Sequence, residues 1–258
     1  MKINQSKTKA IIFNPTQIQA VPIISPQDGE PVQVVDSLKL LGIVFDCDLS
    51  WWPMVSFMVS KAKRKLWMLL RFHEAGAELQ QLKEVYIAKI RPVLEYGCQV
   101  ITPMLNGLQT KELESVQRQA CIIILGRKAS SYAENLVSLR IPSLYERREL
   151  LVREFAISVF RNHKHRWWFQ PSPPPIHPTR VIQPRPRFAV PQGKKNTRLD
   201  KSPLAEYSRI LNTISEEEWQ SLELPPPSSC VNRPNTMLNQ LYLTQTVERL
   251  PSPCQPPL

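Results

Sequence analysis

The chain has 258 residues, 33 Lys/Arg against 22 Asp/Glu and a net charge of +11, so a polyanionic partner is favoured over a basic or neutral one. No run of about 18 apolar residues occurs and no signal-type apolar core opens the chain, which argues against a membrane helix and leads us to expect an intracellular protein of nucleus or cytoplasm. Five scattered cysteines with no CxxC pair argue against a disulfide scaffold and a zinc site, and no cofactor is expected.

The first elements read as strands. "KAIIFN" (9–14), "PVQVV" (31–35) and "LKLLGIVFD" (38–46) are short, branched or alternating, and Pro, Asp and Gly separate them. They suggest a small antiparallel sheet over 1–49 that needs a helical partner for its apolar face. From Ser50 the period changes to that of a helix. Val55, Val59, Ala62, Leu66 and Leu69 share one face, Ser50 is the expected cap, and Pro53 falls in the first turn. Next come stripes through Leu79, Leu82, Tyr86 and Ile90, with Pro92 as a kink, and through Leu113, Val116, Ala120, Ile123 and Ile124 before Gly126. A last stripe runs through Leu144, Arg148, Leu151, Phe155 and Val159. Together these predict a helical bundle over 50–168 and an α+β fold. Beyond it, 17 of the 25 prolines lie at or after Pro171, so 169–258 is expected to be a Pro-rich, mostly disordered tail. One weak helical pattern interrupts it, through Leu204, Tyr207, Leu211 and Ile214.

Five pieces stand in order: "NQSKTKAIIFNP", "LKLLGIVFDCDLSW", "KAKRKLWMLLRF", "LKEVYIAKIRPVLEYGCQV" and "LESVQRQACIIILG". Together they resemble the end of the palm and the thumb of reverse transcriptases from non-LTR (LINE-type) retrotransposons. The matching residues are Asn4, Lys7, Thr8 and Lys9, then Leu41, Gly42, Asp46, Leu49 and Trp51, then Tyr96, Gly97 and Gln117. The likeness covers about residues 2–162. It implies that Met1 stands after the polymerase hairpin rather than at a true beginning. The family's Asp-Asp pair, which holds two Mg2+ ions in the full-length enzyme, has no counterpart here, and Asp46 and Asp48 lie beyond its place. The resemblance therefore implies no polymerase activity and no metal site for this chain alone. Lys7 matches a family position near the incoming nucleotide.

Thumb helices lie against a primer–template duplex, so the expected partner is an RNA–DNA hybrid or duplex DNA, bound weakly, independently of sequence and with salt sensitivity. The residues chosen for phosphate contact are Lys61, Lys63, Arg64, Lys65 and Arg71, with Arg127 and Lys128. Trp51 and Trp67 could stack on a base, although burial between sheet and bundle is the simpler expectation. Two other readings stay open. The chain could be the C-terminal portion of an intact RNA-directed DNA polymerase, or an interaction protein whose tail, with "PSPPP" and "PRPRF", binds a partner's aromatic groove.

Overall fold

The computed structural model describes residues 8–13, 31–173, 186–191 and 200–229. These are mostly helical, with four short strands in two separate pairs. β1 (Lys9–Ala10) pairs with β2 (Gln33–Val34) in parallel. β3 (Ser37–Leu40) and β4 (Ile43–Asp46) form an antiparallel hairpin. The single strand expected over 38–46 is thus two strands. Leu41 and Gly42 take positive φ values of 47° and 84°, and a two-residue turn with two left-handed positions matches the twist of a hairpin. The expected all-antiparallel sheet is corrected at its first pair: a stretch of more than twenty residues separates β1 from β2, so no tight turn forces them to run antiparallel.

α1 (Trp52–Glu74) is the longest helix, and the whole expected stripe, Val55 to Leu69, is buried. Its start differs from the expectation. Ser50 is not its cap; Trp51 precedes the helix in a left-handed conformation. The Asp46 carboxylate closes that entry, accepting from the Ser50 amide at 2.9 Å and the Trp51 amide at 3.2 Å. Trp51 is only 2% exposed and stacks obliquely on Phe45 at 5.6 Å, which offsets the left-handed backbone.

α2 (Leu79–Val85) returns along α1, and α3 (Arg91–Glu95) continues it after one wider turn, Tyr86–Ile90. Pro92 cannot donate its amide, and the wide turn places it at the start of α3, where that donor is not needed. The short α4 (Cys98–Ile101) leads to α5 (Gly107–Leu125). Asn106 and Gln109 cap α5 reciprocally, both at 2.9 Å, and the Gln109 amide donates to the Ser50 carbonyl at 2.6 Å. Helices α1 and α5 therefore start side by side and run in the same direction. α6 (Tyr132–Leu139) and α7 (Leu144–Arg161) each begin with a Ser–Glu capping box.

The last bundle helix buries a different stripe from the expected one. Leu144, Arg148, Val152, Ala156, Val159 and Phe160 face inward, while Phe155 is 38% exposed and meets Tyr207 edge-on. Spacings of three and four are equally helical, so sequence cannot choose between Leu151 and Val152.

Within the tail, most of which lies outside the described residues, the weak helical pattern through Leu204, Tyr207 and Leu211 is a formed helix. α8 (Pro203–Thr213) and α9 (Glu216–Ser221) fold onto α7. Phe160, Phe169, Phe188 and Trp219 form an aromatic cluster with Tyr207, Leu211 and Ile214. The Phe188 backbone is held on both sides by the Asn212 amide, at 2.8 and 2.9 Å. Phe188, the last residue of "PRPRF", is thus buried inside its own chain; Pro184 and Arg185, like Pro174 and Pro175 of "PSPPP", lie outside the described residues. Long-range aromatic burial supplies the driving force that the Pro-rich composition alone does not suggest.

Candidate nucleic-acid interface

The basic run of α1 does not act as one patch. Five cations within eleven residues spread around the helix at 100° per residue. Lys63 turns toward α5, 3.7 Å from Glu112. Arg64, Trp67 and Arg71 share the outer face. Trp67 is 61% exposed, against the expectation of burial, and the Arg71 guanidinium lies over its ring at 5.0 Å. Arg71 also pairs with Glu74 at 2.7 Å. Arg127 and Lys128 are exposed in the turn after α5, beside the far end of α1, where Gly126 abuts His73. Lys7 lies outside the described residues.

Lys61 and Lys65 turn the other way, into a groove of about 400 Å³ between the β3–β4 hairpin, α1 and the start of α3. Lys39 and Lys89 enter the same groove, and no carboxylate lines it. None of the four lysines forms an ion pair among the described residues. The floor is apolar and aromatic. Lys39 and Lys61 lie over the two approaches to Phe57, at 4.3 and 5.8 Å from its centroid. Lys65 donates to the Lys89 carbonyl at 2.6 Å, next to the wide turn. Four like charges converge without a counter-ion, which raises the local potential and favours an anion. Lys39 and Lys89 are absent from the sequence-based set because they come from a strand and from another helix. Only the alternation Leu38–Lys39–Leu40, with a cation on the solvent side of a strand, hinted at the first.

The hairpin turn at Leu41–Gly42 and the Tyr96–Gly97 joint pack on one another. The Tyr96 hydroxyl donates to the Leu41 carbonyl at 2.5 Å, and its ring lies over Gly42. A Cβ on Gly42 would sit 3.1 Å from that ring. Gly97, also at positive φ, makes room for Ile43 in the same way. Gln117 is 1% exposed and centres a polar network inside the bundle. It accepts from Tyr86 at 2.5 Å and donates to Tyr132 at 3.1 Å and to the Pro142 carbonyl at 2.9 Å. Tyr132 in turn donates to Glu114, whose carboxylate accepts the Leu144 and Tyr145 amides at the start of α7. Burial drives the Tyr86 and Tyr132 hydroxyls far above their ordinary range, so both stay protonated and donate.

The acidic residues near the hairpin do not fit a metal pair. Burial raises the Asp46 carboxyl, but hydrogen bonds from Ser50 and Trp51 outweigh it and leave it below the ordinary carboxylate range. Its oxygens are occupied by those donors. Among the described residues, no group of three His, Cys, Asp or Glu side chains could hold a metal ion. Cys98 and Cys121 are buried, and burial lifts both thiols to about 11. Among the described residues, no helix is long and apolar enough to cross a membrane. No protein-family model, curated protein or solved structure matches the chain.

Proposed function

We propose that this chain is the end-of-palm and thumb portion of a non-LTR retrotransposon reverse transcriptase, and that it grips an RNA–DNA hybrid or duplex DNA through the sugar–phosphate backbone. The observation that carries this reading is the groove in which Lys39, Lys61, Lys65 and Lys89 converge without a carboxylate. The resemblance supports it independently: the "LLG" turn and the "EYG" joint, far apart in sequence, pack together and form one wall of that groove. Lysine ammonium groups contact phosphate as point charges and read no base, which suits a protein that copies any template. The reading assigns no catalytic residue to this chain.

Filter binding of a hybrid duplex across a salt series tests the proposal. If all four groove lysines meet phosphates, affinity should fall on the order of a hundredfold between ~50 and ~200 mM salt. Affinity that ignores salt, or no binding at low salt, overturns it.

A further inference from the structure

The joint between α5 and α6 carries a side-chain pattern that the lysine groove does not use. It reads Gly126-Arg127-Lys128-Ala129-Ser130-Ser131. Arg127 and Lys128 stand three and two residues before Ser130, and among the described residues no other serine or threonine has a cation at both places. Thr197, after Lys194 and Lys195, has the same spacing but lies outside the described residues. Two cations ahead of a hydroxyl suit a kinase whose substrate cleft is lined with carboxylates, because such enzymes select substrates by charge pattern and hold each cation by charge-assisted hydrogen bonds.

The fold presents this pattern outward. Arg127, Lys128, Ser130 and Ser131 are all exposed. Neither cation forms an ion pair among the described residues. The backbone is extended on both sides of Ser130, with ψ of 136° at Ala129 and 153° at Ser131. Laying the two cations along a cleft requires only the short turn Gly126–Lys128 to open, where the Ala129 amide donates to the Gly126 carbonyl at 3.1 Å.

The two serines differ in their commitments. Ser131 is the cap of α6, and its hydroxyl accepts from the Glu134 amide at 3.4 Å. Ser130 stands one residue before the cap. Its hydroxyl reaches the exposed Glu134 carboxylate and, at 3.4 Å, the Asn135 side-chain oxygen. Its amide and carbonyl are both held by the buried Asn135 side chain, at 2.8 and 3.1 Å. Those two bonds use the main chain, so a group added to Ser130 Oγ leaves them in place.

We propose that Ser130 is a phosphorylation site for a basophilic serine/threonine kinase that reads Arg127 and Lys128. In the transfer, Ser130 Oγ bonds to the γ-phosphorus of ATP and the bond from that phosphorus to the β–γ bridging oxygen breaks. ADP leaves, and the hydroxyl proton passes to the base of the kinase. The added group carries a charge of roughly −2 at neutral pH. Glu134 loses its Ser130 donor and is repelled, while Arg127 and Lys128 are drawn to the phosphate, so the turn loses its basic character. The site does not depend on nucleic-acid binding by the lysine groove.

The test treats the full, folded chain with the catalytic subunit of cAMP-dependent protein kinase and Mg-ATP, and places the phosphate by fragment mass spectrometry. A phosphoryl group should appear on Ser130, and Ser130→Ala should remove it. Arg127→Ala with Lys128→Ala should slow the transfer about tenfold or more, the size expected when charged hydrogen bonds to the kinase are lost. Ser131→Ala should leave the rate at Ser130 unchanged. All of these side chains are exposed, so thermal melting should show each variant still folded. A chain that takes no phosphate, phosphate confined to Ser131 or Thr197, or an undiminished rate in the double variant overturns the proposal.

Discussion

Gln117 shows how a residue that reads as an ordinary polar position becomes structural. Its side chain joins Tyr86, Tyr132 and the Pro142 carbonyl, and no solvent replaces those partners when it is lost. Replacing it by leucine strands a buried hydroxyl and a buried carbonyl, so Gln117→Leu should cost about 2–3 kcal/mol in urea unfolding, with the m-value unchanged. Asp46 carries a pH dependence of definite sign. Its folded-state pKa is lowered, so its stabilising contribution is complete above the ordinary carboxylate range and fades as pH falls through the folded value. Asp46→Asn should therefore flatten the decline of thermal stability below about pH 4, while lowering stability at neutral pH. A mutant that loses stability in acid as steeply as the wild type would contradict the assignment.

At the scale of elements, the hairpin and α1 decide what the basic run can do. Gly42 stands at φ +84° beneath the Tyr96 ring, so Gly42→Ala meets both backbone strain and a side-chain clash. It should lower the melting temperature and also weaken nucleic-acid binding, because the turn forms a wall of the lysine groove. The cations of α1 should separate by flank. Lys61→Ala with Lys65→Ala should reduce the salt slope of binding by about two, one for each lost phosphate contact. Lys63→Ala should leave the slope nearly unchanged, since Lys63 faces Glu112 on the opposite flank. Equal effects of the two replacements in filter binding would show that the groove is not the contact surface.

For the molecule as a whole, two cores meet along α7. One gathers Trp51, the α1 stripe, Tyr86, Ile90 and the α5 stripe; the other gathers Phe160, Phe169, Phe188 and Trp219. The Tyr207 hydroxyl ties α8 to the Gln99 carbonyl at 2.7 Å, and Arg153 pairs with Glu218. Removing an aromatic ring from the second core should release α8 and α9 before the first core yields. Trp219→Ala should cost about 3–5 kcal/mol in that unit and open residues 200–229 to protease, with the Tyr86–Gln117 region still protected. Uniform loss of protection would mean that the two cores unfold as one.

Periodicity alone determined the helices: a stripe such as Val55 to Leu69 must be buried on one side, because only one face of that helix is apolar. The order strands, then bundle, was equally legible. Tertiary structure decided the rest. It turned the strand over 38–46 into a hairpin, sent Lys61, Lys63 and Arg64 in three directions, and brought Lys39 and Lys89 to a shared groove. It also gave the C-terminal helices a core that their composition hides. The physical reason is one of range. Local pattern states which faces must leave water, whereas a site is made by residues that meet only after those faces have chosen partners.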